Sequence, residues 1–183
     1  MIRSGRLSHR VTVKRLIGDP PTAQTVTTIW AEPLSKQEGD APASGGLRSP
    51  APVQYRMRYG SLLAGWYLVD GSRLFAVDHV RNWDGKGKEW MASCTELVGD
   101  PATYTPAAGT AVSTRCFVLN DAPYASPYSQ ATEYRTLLEL PIIEVGRAKK
   151  GDAVMARSVV YTLLGLADGG DDGVVRRLWA SPT

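Results

Sequence analysis

Residues 69–97 read VDGSRLFAVDHVRNWDGKGKEWMASCTEL, and their punctuation decides the fold. β-Branched and aromatic residues recur at period two in Arg73–Val80 and again in Lys88–Leu97, the spacing that sends alternate side chains to opposite faces of a strand. The turns DGS at 70–72 and DGKGK at 84–88 place glycine where the chain must reverse with positive φ. A short strand, Tyr67–Val69, precedes them. Upstream, His9–Leu16 sets Val11, Val13 and Arg15 on one face and Thr12 and Lys14 on the other. Gly18, Asp19, Pro20 and Pro21 separate it from Thr25–Ala31, which predicts a hairpin with a longish connection. Val53–Tyr59 adds a further strand. Short strands with almost no helical period predict a small barrel or sandwich.

Downstream, GDPATYTPAAGT at 99–110 breaks the composition, and strands resume at Val112–Leu119, Glu133–Leu140, Ala153–Met155, Val159–Leu166 and Val174–Trp179. The expected class is all-β: two small β-barrel or sandwich domains in tandem, at 1–99 and 111–183, joined by a linker at 100–110. The two halves resemble each other. A shift of 86 positions without a gap sets Gly65 on Gly151, Leu68 on Val154, Phe75 on Tyr161, Val77 on Leu163 and Val80 on Leu166. QYRM at 54–57 echoes EYRT at 133–136, at a different offset.

Composition bounds the function. The chain has 183 residues, 43% hydrophobic and 21% charged, and no apolar run approaches the roughly 20 residues that span a bilayer. The start, MIRSGRLSHR, has no apolar h-region, which predicts a chain that stays in the cytoplasm, without membrane contact. The net charge of +3 is uneven: residues 1–98 hold 13 Lys and Arg against 9 Asp and Glu, the rest 8 against 9. Arg3, Arg6, Arg10, Lys14 and Arg15 arrive with no acid between them. They suit a phosphate backbone or an acidic protein surface, or serve as the charged guard of an edge strand.

Catalytic chemistry is poorly supported. His9 lies in the basic arm, and His79 could meet Asp78 and a serine, yet no Gly-x-Ser-x-Gly elbow is present. Cys94 and Cys116 lack metal-ligand spacing and read as free, buried thiols. Asp168, Asp171 and Asp172 do not follow a calcium-loop spacing and read as a hairpin turn, and GGLR at 45–48 lacks the context of a phosphate loop. Trp66, Tyr67, Phe75, Trp83 and Trp90 could stack on single-stranded bases, though most alternate as barrel-filling or interface residues do. The expectation is a protein that is not an enzyme and needs neither metal nor cofactor.

Ser35–Pro52, SKQEGDAPASGGLRSPAP, has Leu47 as its one large apolar residue. It cannot bury enough surface to order itself, and a structureless segment of this length inside a small domain is commonly functional. Doubled back, it could reach roughly 30 Å.

Four stretches carry a family resemblance: SGRLSHRVTVKRL at 4–16, TVTTIWAEPLS at 25–35, YRMRYG at 55–60 and the closing pattern at 69–97. In order and spacing these resemble the phage head-closure proteins, also called stoppers or head-to-tail joining proteins, over about the first 97 residues. The resemblance implies a small β-barrel that assembles with itself as a ring, usually a hexamer, in the neck of the virion after assembly in the host cytoplasm. Such a ring sits under the portal and adaptor, closes the DNA channel after packaging, and offers a platform to the tail terminator or tail tube. It also implies that the loop after the second strand, here Lys36–Pro52, projects into the channel as a plug: Lys36, Gln37, Glu38, Gly39, Gly45, Gly46, Leu47 and Arg48. Lys36 and Arg48 would touch double-stranded DNA through phosphate without base readout, and the arm of Arg3, Arg6, Arg10 and Lys14 would meet DNA or a partner. The tail half, with GDAVMARSVVYTLLGLADGGDDGVVRRLWA at 151–180, resembles another small head-to-tail joining barrel, where typical members end near the first closing strand. A tail-completion, terminator or collar protein is the alternative in the same class, and a single-stranded nucleic-acid-binding barrel the alternative in another.

Overall fold

In β1 (His9–Ile17) Val11 and Val13 point inward and are fully buried, as their spacing requires. The computed structural model that shows this describes residues 7–34, 46–125 and 132–183. Arg15, expected beside Val11 and Val13, instead faces solvent. A register shift between Val13 and Lys14 against β2 (Thr22–Pro33) reverses the alternation there. With β3 (Arg48–Met57), β4 (Tyr67–Asp70), β5 (Arg73–Asn82) and β6 (Trp90–Leu97), these strands close a barrel in the order β1-β2-β3-β6-β5-β4. Its interior holds Val11, Val13, Tyr55, Leu68, Phe75 and Cys94 among others. Tyr55 meets Phe75 edge-on, with ring centroids 5.3 Å apart. Each such buried apolar side chain contributes roughly 1.5–3 kcal/mol, which is what holds so small a barrel closed.

The chain divides into Met1–Val98 and Gly99–Thr183. The second unit comprises β7 (Asp100–Thr105), β8 (Val112–Ala125), β9 (Thr132–Pro141), a four-residue helix α1 (Ile142–Val145), β10 (Ala153–Ala156), β11 (Val159–Asp171) and β12 (Val175–Pro182). It too is a closed barrel, in the order β10-β11-β12-β9-β8-β7. The all-β expectation is borne out. The linker expected at 100–110 is corrected, because Asp100–Thr105 is a strand paired with both β8 and β10. Ala102 and Tyr104 face the core from it, and Pro101 sits before the β10 pairing begins, where a missing N–H is tolerated.

Both barrels follow one cyclic order: first, second, third, sixth, fifth, fourth strand. The shift of 86 residues is a structural identity. Leu68 opposes Phe75 as Val154 opposes Tyr161, and the bulge between Val77 and His79 recurs between Leu163 and Gly165. Gly65 and Gly151 both adopt positive φ, at 81° and 90°. Their N–H groups donate to Val77 and Leu163 carbonyls at 2.8 and 2.9 Å. The echo of QYRM in EYRT does not survive. Tyr55 opposes Ala92, and the equivalent partner Leu178 is opposed by Leu138, so QYRM corresponds to residues 137–140. Beyond Leu166 the second unit shifts register again, setting Asp171 opposite Arg176.

Candidate functional surface

The expected channel loop, 36–52, is divided by the structure. Lys36, Gln37, Glu38, Gly39 and Gly45 lie outside the described residues. The return is strand, which corrects the loop's extent: Arg48 opposes Leu97 in β6, and Gly46 and Leu47 are buried. The Leu47 carbonyl accepts the N–H of Val98 at 2.7 Å. The one large apolar side chain of a polar segment is thus part of the barrel wall, as the cost of leaving it in water dictates. On the departing side, Leu34 donates its N–H to the Gln54 carbonyl at 2.7 Å, so Gln54 directs its polar groups toward β2. Pro52, two residues away on the same side, has no N–H to leave open where β2 has departed.

Of the basic arm, Arg3 and Arg6 lie outside the described residues. Arg10 is exposed opposite Trp30, itself 57% exposed, and Lys14 is half-buried opposite Thr25 and Tyr67. β1 lies between β2 and β4, so Arg10 and Lys14 are not on a strand adjacent to Arg48. At the start of β1, His9 Nδ1 lies 2.7 Å from Asp70 Oδ2, which also accepts the Tyr55 hydroxyl at 3.0 Å. Burial first, then the charge of Asp70, push the Tyr55 phenol far above its usual range. Arg73 makes two bonds to Glu96, at 2.7 and 2.6 Å, and these chiefly hold its guanidinium charged.

The remaining sequence candidates are structural. Asp78 accepts the Thr95 hydroxyl at 2.8 Å, while His79 is exposed opposite Ser93. Cys94 and Cys116 are free and buried, and burial, with Asp78 and Asp100 respectively as lesser causes, pushes each thiol up to about 12. Neither is a nucleophile in that state. Asp171 and Asp172 accept the N–H groups of Gly173, Val174 and Val175, as a hairpin turn requires. Among the described residues no cluster of His, Cys, Asp and Glu could hold a metal ion, and no helix is long and apolar enough to cross a membrane.

Sequence reasoning passed over the tip between β5 and β6. There Asp84 Oδ1 accepts the N–H groups of Lys86, Lys88 and Glu89 at 3.0, 3.3 and 3.4 Å, and Asn82 accepts that of Gly87 at 3.3 Å. Partial desolvation opposes the charge on Asp84, but these donors outweigh it, and its carboxyl titrates below the ordinary range. Arg58, Lys86, Gly87 and Lys88 line a groove of about 560 Å³ together with the acids Asp84 and Glu89, and Arg58 also borders a second, of about 630 Å³, with Leu7, Ile29, Trp30 and Tyr59. The alternation of Lys and Gly at 85–88 was the available signal, but it is also ordinary turn chemistry.

Over residues 2–97 the chain matches the phage head completion protein family. The chain belongs to the phage head completion proteins. That match spans just over half of the chain and ends on Leu97, the last residue of β6, so it covers the first barrel. No curated protein and no solved structure matches the chain. As a head completion protein it is a structural protein of the phage head and tail, a component of the virion. Its second barrel repeats the strand order of the first and its internal hydrogen bond from Gly65 to Val77, as Gly151 to Leu163.

Proposed function

We propose that this head completion protein is a stopper: a ring-forming, non-catalytic component of the neck that closes the portal channel after DNA packaging and offers the tail its attachment platform. The family match over residues 2–97 is the observation that carries this reading. Closed barrels suit the role. A rigid wall that presents few free strand edges meets its neighbours through side chains and avoids uncontrolled edge pairing. A hexameric ring, under the portal and adaptor and above the tail terminator or tail tube, would bring the segments between Leu34 and Gly46 around one axis. Lys36 there and Arg48 at its base would touch packaged duplex DNA through phosphate alone, since a gate must hold whatever sequence arrives last. The arm of Arg3, Arg6, Arg10 and Lys14 would serve contact with DNA or a neighbouring ring.

The test is deletion of residues 37–44 in the phage, which spares Leu47 and β3. Filled heads that leak their DNA are the expected outcome. Intact heads bearing tails of wrong length would show instead a tail-terminator or collar role. Tight, steeply salt-dependent binding of single-stranded oligonucleotides by the isolated monomer would move the protein to the nucleic-acid-binding class.

A further inference from the structure

We propose that the β5–β6 tip is a second, separate contact for duplex DNA, with Lys86 and Lys88 binding backbone phosphate and Arg81 with Trp83 forming its flank. The inference rests on the reading that this protein contacts packaged DNA, and adds residues that neither the loop nor the basic arm includes.

Three observations carry it. The tip is built to hold its shape. Its four backbone N–H groups are taken up by Asp84 and Asn82, and the Trp90 indole donates to the Gly87 carbonyl at 3.2 Å from below. Those N–H groups turn inward, and the Lys86 and Lys88 side chains are exposed. A tip whose backbone is already fixed has less freedom to lose on meeting an anion than a loose loop carrying the same two lysines would.

The second observation is the flank. The Arg81 guanidinium lies 4.6 Å from the centroid of the Trp83 ring, and Trp83 is 48% exposed. Packing on an aromatic face keeps the guanidinium in place without neutralising it, so Arg81 adds its charge to the same end of the hairpin.

The third is a comparison within the chain. The second barrel has a hairpin of equal length at the equivalent place, since Val80 to Ala92 and Leu166 to Leu178 enclose the same number of residues. There an exposed Asp172 stands at the position of Lys86 and Val174 at that of Lys88, on a tip whose register shift sets Asp171 opposite Arg176. A hairpin spanning the same number of residues thus closes with an acid at the Lys86 position and an apolar residue at the Lys88 position, so neither lysine is dictated by the length of the hairpin. The ligand such cations suit is an anion. Duplex phosphate fits the separated pair of lysines without asking for base readout.

The experiment measures binding of the full chain to a 30-base-pair duplex of arbitrary sequence across a salt series, for the natural protein and for K86Q/K88Q and K86E/K88E, with thermal unfolding of each recorded alongside. The natural protein should bind with log K falling linearly in log salt. K86Q/K88Q should reduce the slope by about 1–2 and weaken binding roughly tenfold or more at low salt, and K86E/K88E further, with unfolding unchanged. Unchanged slope and affinity in folded K86Q/K88Q overturns the tip while leaving the loop's DNA contact standing. Loss of self-assembly with DNA affinity intact also overturns it, and assigns the lysines to an acidic protein surface. No duplex binding by the natural protein at any salt removes both DNA contacts together.

Discussion

The indole of Trp90 lies so close to Gly60 that a β-carbon built on Gly60 would stand 2.7 Å from Nε1. The same Nε1 donates to the Gly87 carbonyl, so one side chain seats the chain after β3 against the tip after β5. Gly60→Ala forces the indole to move and should cost about 1–3 kcal/mol, the usual effect of overfilling a packed site. Urea unfolding reads the loss, and amide exchange at Lys86, Lys88 and Glu89 should quicken. A variant as stable as the natural protein would show that the indole is not held there.

Asp152 has the corresponding place in the second barrel to Trp66 in the first, and works differently. Its carboxylate accepts the Tyr104 hydroxyl at 2.6 Å and the N–H groups of Lys149 and Ala107, each at 2.9 Å. Burial opposes its charge, yet these donors prevail and the carboxyl titrates below its ordinary range. A lowered folded pKa contributes stability above the ordinary carboxylate pKa of about 4 and loses it as pH falls through the lower folded value. Asp152→Asn turns an amide N–H₂ toward donors and should cost on the order of 1–3 kcal/mol at neutral pH. Denaturant titrations from pH 3 to pH 7 should show that difference shrinking toward the acid end.

The thiols give a prediction of opposite sign. Cys94 and Cys116 titrate at about 12 when folded, against about 8.5 in an unfolded chain. A raised folded pKa leaves their contribution complete below pH 8.5 and withdraws it as pH climbs toward 12, because only the unfolded chain ionises in between. Both thiols should resist a chromogenic disulfide reagent at pH 8 and react once urea is added. Rapid reaction of the folded protein would contradict their burial.

What could be read in advance was whatever repeats at short range. Val11 and Val13 announce a strand by period, and Gly65 and Gly151 announce the duplication because each needs positive φ at the same point of the same unit. β7 was illegible. Only Ala102 and Tyr104 face the core from a six-residue strand, and Pro101 with Pro106 gives it the composition of a linker. Leu47 was noticed as the odd apolar residue of a polar stretch, but its bond to Val98 joins residues far apart in sequence, and no local pattern encodes it. The same holds for Tyr104 with Asp152 and for Gly60 with Trp90. Lys86 and Lys88 were hidden for another reason. Charge and glycine at a hairpin tip look alike whether the tip is solvated or binds something.

The turn between β10 and β11 stores strain that a single substitution should release. Arg157 and Ser158 adopt φ of 51° and 65°, the left-handed region, where a residue other than glycine carries a penalty of roughly 1 kcal/mol or more. The equivalent turn of the first barrel has Gly71, at φ 61°, in the place of Arg157. Register cannot relax the strain, since Ala156 must oppose Val159 for Val154 to face Tyr161. Ser158→Gly removes the steric clash, and the added freedom of the unfolded glycine offsets part of the gain. The net expectation is about 0.5–1 kcal/mol of stabilisation, read as a higher denaturation midpoint at unchanged slope. Arg157→Gly should gain less. Its guanidinium Nε lies 2.6 Å from Asp100 Oδ2, tying this turn to β7, and that exposed pair contributes up to about 1 kcal/mol which the glycine forfeits. If Ser158→Gly proved destabilising, the two central residues would not both be left-handed, and the turn would have to connect its strands in another register.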